Sequence, residues 1–495
     1  MNQQRSKTIL TKKEIVSSTL LFVLNLVILS GLSIGLMIWG NTASDEVISH
    51  GSYFYVVFCV LLFVTMLYLY LFYENREVLA SPSKISLVFA VIVFYLLLSF
   101  IIGHYFSIYA RPVALGALLI VLLIGRREAI FVNVICALMM FLIDNFSVSV
   151  LRTECYSALL ICFSAGTLAA FLGQGLKTRM QAIFVGIVVV IPIALIIFLL
   201  EVSMLQDGVE TGGFFERVVT NMGYGVFGGI SSVIVFLATL PIFEWMFNCI
   251  TAFRLRELTN HDSVLLKKLR EEASGTFNHV TTVAQIAEAC AAALGEDVAL
   301  TRAAAYYHDV GKLHQPEYFT ENQGEYNPHD ELTPELSADI IRSHTRDGYE
   351  LIRSQRLPKF LADVALEHHG TMPIRYFYAK ALKMTDGDLN IEDVSYTGPK
   401  PKSKIAAIIM IVDASEAAVR ALPNRSTEAT EKVVREIIEE RMNLDQFSEC
   451  DVTIGDLTLI RQTIVSSMTG AYHHRIKYSS IRYKKSDGKT TGENL

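Results

Sequence analysis

Apolar and polar positions divide this chain into two regimes. Up to about residue 250, long apolar runs recur, each closed by a short polar or charged stretch. A run of about 20 residues is the length a helix needs to cross the hydrocarbon of a bilayer. Eight such runs are predicted, at 16–39, 53–73, 84–104, 109–125, 129–149, 157–176, 181–205 and 221–247. The fourth has a short clean core, Val113 to Gly125, which also fits a re-entrant segment. Beyond residue 250 the apolar positions return at helical spacing between charged residues. Phe253 to Ala273, with leucines at 255, 258, 265, 266 and 269, reads as an amphipathic helix leading out of the membrane. Further helices are predicted at 279–294, 297–313, 334–354, 359–369, 402–422, 427–442 and 455–475, with Thr333 as N-cap before Pro334. No segment alternates with the period of a strand. The predicted fold class is all-α: a polytopic membrane bundle over residues 1–250, a linker helix over 251–274, a helical domain over 275–478 and a disordered lysine-rich tail over 479–495.

Composition agrees with this division. Hydrophobic residues make up 52% of the 495, and the mean hydropathy of +0.39 is too high for an ordinary soluble protein. The N-terminal run is too long for the apolar core of a signal peptide and is read as an uncleaved span. With the N-terminus inside, the inner segments hold Arg5/Lys7/Lys12/Lys13, Arg76/Lys84, Arg126/Arg127, Lys177/Arg179 and Arg254/Arg256. The outer loops hold only Arg111, Arg152 and Arg217, so the positive-inside rule places both termini in the cytoplasm. No span carries the internal carboxylates or paired broken helices of a transporter. A net charge of −6 without a basic aromatic patch argues against a nucleic-acid polymer as partner. The seven cysteines show neither metal nor disulfide spacing, which fits a reducing compartment.

Candidate chemistry is confined to the second half. Tyr306 to Lys312 sets His308 beside Asp309 at the end of an alanine-rich run. Neighbours on a helix point about 100° apart, so the pair cannot chelate one ion from one face. It can reach two adjacent ions, with the oxygens of Asp309 bridging them. His279, His344, His368, His369 and Asp413 each stand in an otherwise apolar helical segment. Singly, each is more often a capping or core residue than a ligand. Seven in one ordered series suit iron or manganese, with no cysteine among them to suggest structural zinc. Two divalent ions about 3.5–4 Å apart, holding a hydroxide and neutralising phosphoryl charge, are the equipment of phosphodiester hydrolysis. Distribution along the chain assigns His279, His308 and Asp413 to one ion, His344, His368 and His369 to the other, and Asp309 to both. Lys312 stands ready to orient Asp309 or contact phosphate. The insert between His369 and Lys402 offers Tyr376, Tyr396 and Lys402 to grip a base and a phosphate, against the plainer reading of a surface hairpin packed by its own rings.

The order His, His-Asp, His, His-His, Asp resembles the HD-domain phosphohydrolases. The surrounding segments resemble one subgroup, the seven-transmembrane receptors with an intracellular HD hydrolase. They are Gly275 to His279, His308 to Lys312, Asn327 to Asp330, Ser343 to Gly348, Glu367 to Thr371, Tyr396 to Lys404 and Asp413 to Ala418. The resemblance implies one N-terminal span followed by a seven-helix bundle in the bacterial cell membrane, and a cytoplasmic HD domain. It also implies hydrolysis of cyclic di-AMP to the linear pApA with two iron or manganese ions. Asn278 stands where the family commonly has a second histidine, and the usual large extracytoplasmic domain is replaced by the short stretch Gly40 to Ser52. Cyclic di-GMP is disfavoured because Gly370-Thr371-Met372-Pro373 follows the paired histidines in place of Gly-Tyr-Pro. Guanosine tetraphosphate hydrolysis and a non-catalytic nucleotide receptor are the other readings, and a homodimer is compatible with all of them.

Overall fold

The computed structural model describes residues 10–42, 48–147, 150–206, 213–383 and 390–471, and the expected tail at 479–495 lies outside them. Among the described residues the structure is helical, with one isolated antiparallel bridge between Pro373 and Ser395. The chain divides into two compact units, residues 1–258 and 259–495.

The first unit holds α1 (Lys12–Gly40), α2 (His50–Glu74), α3 (Arg76–Ala80), α4 (Pro82–Tyr105), α5 (Leu115–Leu123), α6 (Arg126–Asp144), α7 (Arg152–Gly173), α8 (Arg179–Gln206), α9 (Phe214–Phe247) and α10 (Ala252–Leu258). Local chemistry sets several of the starts. A capping box opens α1: the Thr11 side chain accepts from the Glu14 N–H and the Glu14 carboxylate accepts from the Thr11 N–H. Ser81 caps α4, whose first residue is Pro82. Exposed Leu20, Phe58, Phe184 and Ile191 on α1, α2 and α8 present apolar surface outward, as helices solvated by lipid do.

Among the described residues, six helices are long and apolar enough to cross a membrane: α1, α2, α4, α7, α8 and α9. Two of the eight predicted spans fall short of that standard. The fourth is broken where Arg111-Pro112 follows a 3-10 turn, Ile108–Ala110, leaving α5 with nine residues, about 14 Å at 1.5 Å per residue. The fifth, α6, has 19 residues and buries Glu128, Asn133 and Asp144. Close packing explains one glycine here: a Cβ on Gly228 of α9 would lie 2.6 Å from the Arg111 carbonyl oxygen.

The prediction that the spans lack internal carboxylates is corrected. Asp144 and Arg111, 3% and 5% exposed, form a two-pronged ion pair at 2.5 and 2.7 Å. Glu201 of α8 is also buried, and accepts from Asn221 at 2.7 Å with Arg217 at 3.5 Å. Each carboxylate lies near the end of its apolar run, where the run's composition outweighs one charge.

The second unit holds α11 (Val264–Glu272), α12 (Ser274–Leu294), α13 (Val298–Tyr307), α14 (Pro334–Ser354), α15 (Lys359–Glu367), α16 (Arg375–Leu382), α17 (Lys404–Arg420), α18 (Thr427–Asn443) and α19 (Ile454–Ala471). α12 packs on α13, α17 and α19, and α17 buries every residue from Ile405 to Asp413. Thr333 caps α14 as the sequence predicts, accepting from the Leu336 N–H. The predicted single linker helix is two helices, α10 and α11, separated at 259–263. Asn260 makes the break: its side chain accepts from the Asp262 N–H and its carbonyl from the Ser263 N–H. An Asx-type turn of this kind competes directly with helix.

Candidate metal centre

Five helices and the turns that end two of them bring the seven predicted ligands together. α12 supplies His279 and α17 supplies Asp413. α13 stops at Tyr307, with His308 as its C-cap and Asp309 starting a tight turn into the 3-10 segment Val310–His314. α14 supplies His344; α15 ends at Glu367 with His368 as C-cap and His369 beyond it. Helix C-termini carry partial negative charge, which favours cations at the ends of α13 and α15. The turn after Asp309 lies against α14 so closely that a Cβ on Gly311 would sit 1.9 Å from the His344 carbonyl oxygen. Gly370, at φ 51°, lets the chain reverse immediately after His369.

Asp309 is the centre of the cluster. Its Oδ1 faces Nε2 of His344 at 3.3 Å and of His368 at 3.5 Å. Its Oδ2 faces Nε2 of His308 at 3.4 Å and of His279 at 3.6 Å. Asp413 Oδ1 lies 2.9 Å from His279 Nε2, and its Oδ2 lies 3.8 Å from His369 Nδ1. Two four-residue donor sets result: Asp309, His344, His368 and His369, and His279, His308, Asp309 and Asp413, each with its atoms within 4.8 Å of one another. They share Asp309. Nε2 of His308 and Oδ1 of Asp309 are buried without a hydrogen-bond partner, while Oδ2 of Asp309 has the Lys312 ammonium beside it. Unsatisfied buried polar atoms are costly, and a donor set of imidazoles and carboxylates facing inward fits divalent transition ions.

The rings are held from behind. Nδ1 of His308, His344 and His368 meets the carbonyl oxygen three residues earlier, Ala305, Ile341 and Ala365, at 2.7, 2.5 and 2.8 Å. His279 Nδ1 instead meets Glu416 Oε2 at 2.7 Å. Each arrangement leaves Nε2 pointing into the cluster, the usual support for a metal-binding histidine. Lys312 Nζ lies 2.7 Å from Asp309 Oδ2 and 2.8 Å from Glu321 Oε1, which also accepts from Thr276 at 3.0 Å.

The electrostatics follow from this crowding. Burial pulls His308 down, yet Asp309 and Asp413 outweigh it and lift the imidazole to about 10. His279 is likewise raised, burial being overcome by Asp413 and Glu416. Burial holds His368 down to about 4 and keeps His369 low, with His368 adding to it. Asp309 stays well below the usual carboxylate range because, against burial, Lys312 and His308 favour its charged form.

Of the three predicted substrate contacts, the structure brings one to the cluster. Tyr396 stacks on His369 at 4.3 Å between ring centroids and meets His344 edge-on. Tyr376 is exposed, with its ring edge against Phe377. The Lys402 N–H donates to Glu367 while its side chain is exposed. The insert is partly the predicted hairpin packed by its own rings, with Phe377 buried against Ala338 and Val394. Sequence reasoning missed Glu416 and Glu321. Glu416 stands one turn after Asp413 and four residues before Arg420, so it reads as half of a surface i,i+4 pair.

Comparison with known proteins bears on both units. Residues 51–251 match the family described as 7TM receptor with intracellular HD hydrolase, and residues 276–418 match the HD domain family. The cyclic-di-AMP phosphodiesterase PgpH of Bacillus subtilis is 38% identical over 438 residues, 86% of this chain and 59% of that protein. The Listeria monocytogenes protein of the same name is 40% identical over 300 residues, 60% of this chain and 40% of that protein. This chain thus spans less than two thirds of the length of these relatives. The crystal structure of the L. monocytogenes PgpH HD domain in complex with cyclic-di-AMP is 46% identical, with 43% of this chain and 99% of that chain covered and a TM-score of 0.42.

Proposed function

We propose, for a chain that belongs to the seven-transmembrane receptors with an intracellular HD hydrolase, that it hydrolyses cyclic di-AMP to pApA at a dinuclear metal centre on the cytoplasmic face of a bacterial membrane. The observation that carries this reading is the pair of inward-facing donor sets joined through Asp309. The cyclic-di-AMP phosphodiesterase activity for which the two relatives are named supplies the substrate. The charge alternation of the membrane unit supports the cytoplasmic placement.

Two divalent ions, iron or manganese, would supply Lewis-acid activation of a water and neutralise charge on the phosphoryl oxygens. His279, His308 and Asp413 would hold one, His344, His368 and His369 the other, with Asp309, common to both donor sets, shared between them. Lys312 keeps Asp309 ionised and oriented, and Glu416 fixes the ring of His279. Tyr396 presents a ring beside His369 on which an adenine can stack. In the overall reaction water adds across one P–O3′ bond: a new P–O bond forms, the 3′ oxygen leaves with a proton, and the ring opens to a linear 5′-phosphorylated dinucleotide.

The test is incubation of the purified full chain with Mn²⁺ or Fe²⁺ and, separately, cyclic di-AMP, cyclic di-GMP and guanosine tetraphosphate, with products resolved by chromatography. Conversion of cyclic di-AMP to pApA in preference to the others is expected. Preferred turnover of another nucleotide would reassign the substrate, and binding without turnover would make the protein a receptor.

Two further outcomes follow from the hydrogen bonds and charges behind the ligands. Glu416→Gln should weaken metal binding by about 10- to 100-fold, as loss of such a supporting carboxylate commonly does, read by competition with a chelating dye. Metal binding should also tighten as pH rises. In the metal-free protein His308 is raised to about 10, so it holds a proton near pH 7, and His279 is raised in the same direction, whereas His368 and His369 are already neutral. Metal entry must therefore displace at least the His308 proton, measurable by calorimetry in buffers of different ionisation enthalpy. The raised His308 stabilises the metal-free fold fully below its unfolded pKa of about 6.5, and that contribution is lost as pH rises towards about 10.

A further inference from the structure

The two tyrosines immediately before the His308-Asp309 pair are tied to the chain segment that follows the membrane unit. His261 Nε2 lies 3.0 Å from the Tyr306 hydroxyl, and its ring meets Tyr306 and Phe277 edge-on, both at 5.3 Å. Ser263 Oγ lies 3.1 Å from the Tyr307 hydroxyl. Tyr306 and Tyr307 are 7% and 1% exposed and their partners His261 and Ser263 are half-buried, so these partly buried bonds fix where each hydroxyl points. Past Ser263, α11 buries Leu265, Leu266 and Leu269 and packs on the 3-10 segment Val310–His314, which carries Lys312. The metal-bearing turn is therefore gripped on both sides: at Tyr306 and Tyr307 before it, and along Val310–His314 after it. Both grips come from residues 261–272. That stretch is the direct continuation of α10, with only Thr259 and Asn260 between Leu258 and His261.

We infer that His261 and Ser263 are positioning residues for the metal centre: through Tyr306 and Tyr307 they fix the turn His308–Lys312, which makes the segment leaving the membrane unit the mechanical input to that turn. The inference rests on the hydrolase reading above. It adds how the chain's membrane half reaches the chemistry. A shift of the 259–263 turn changes the hydroxyl partners of Tyr306 and Tyr307, and the backbone between Tyr307 and Gly311 has no slack to absorb it. Gly311 is pressed against the main chain of α14, where even a methyl group would collide. Displacement passes instead into Asp309, whose two oxygens must face two donor sets at once. Misplacement of about 1 Å in such a site can cost about 100-fold in rate.

The experiment uses the full chain in detergent with saturating Mn²⁺. The variants are the double change His261→Ala with Ser263→Ala, the conservative His261→Gln, and Tyr306→Phe, alone and with His261→Ala. Turnover of cyclic di-AMP is measured beside that of bis(p-nitrophenyl) phosphate, a probe that reports the metal centre whatever the natural substrate. Amide hydrogen exchange at 308–312 is followed in the metal-free protein. The double change is expected to lower kcat about 10- to 100-fold on both substrates, leave KM within about twofold, and speed exchange at 308–312 before it affects α12 or α17. Gln at 261 should restore much of kcat, and Tyr306→Phe should add little to His261→Ala because both remove one bond. Unchanged kcat and exchange in the double variant would overturn the inference, as would a loss that merely tracks a lowered melting temperature. Failure of the wild type to turn over cyclic di-AMP while it cleaves the nitrophenyl ester would sink the substrate assignment alone.

Discussion

Asp309→Asn should reduce phosphodiester hydrolysis by more than about 10³-fold, about 4 kcal/mol of transition-state stabilisation. The replacement is nearly isosteric, so the loss reports chemistry rather than packing. Asp309 turns Oδ1 to His344 and His368 and Oδ2 to His279, His308 and Lys312. An amide keeps an acceptor on one side only, and its NH2 group faces donors or a cation on the other. Lys312 would then retain Glu321 as its remaining carboxylate partner in a buried site. Elemental analysis of the purified variant should find fewer than two metal ions per chain, alongside the lost turnover. A variant that holds two ions and cleaves at the wild-type rate would remove Asp309 from the bridging position.

Asp144→Ala should be the most damaging single change in the membrane unit, costing about 3–5 kcal/mol because it strands a buried guanidinium. Arg111 and Asp144 are nearly inaccessible and bound through two parallel contacts. Nε of Arg111 is already buried without a hydrogen-bond partner, so the guanidinium depends on its two contacts to Asp144. In detergent the variant's melting temperature should fall by roughly 10 °C. Replacing both residues, Arg111→Met with Asp144→Leu, should recover most of that loss, since an apolar pair carries no desolvation cost. If the single and double variants melt together, the contribution of the pair lies elsewhere than in charge compensation.

The two units were legible to different depths. The convergence of the seven candidate ligands could be read because each is a polar residue within an apolar helical segment, a position where burial demands a partner. Their division between two sets could be read as well, because Asp309 follows His308 directly and must point to another side. What supports the ligands was hidden. The carbonyls of Ala305, Ile341 and Ala365 belong to backbone that any sequence would provide. Glu321 comes from a loop of 3-10 turns whose path no periodicity specifies. Leucine spacing ran through Asn260 to Ser263 and masked a turn that those same polar residues create. In the membrane half, hydropathy counted α5 and α6 as spans because it averages over Arg111-Pro112 and over Asp144, while the structure responds to each residue separately.

The imidazole rings of His308, His344 and His368 take their orientation from their own helices rather than from whatever they coordinate. A chelator should therefore strip the protein to an inactive but intact form, and simple readdition of Mn²⁺ should return full turnover without a refolding step. Occupancy then becomes something the cell can adjust by metal supply alone, with enzyme already made and already in place.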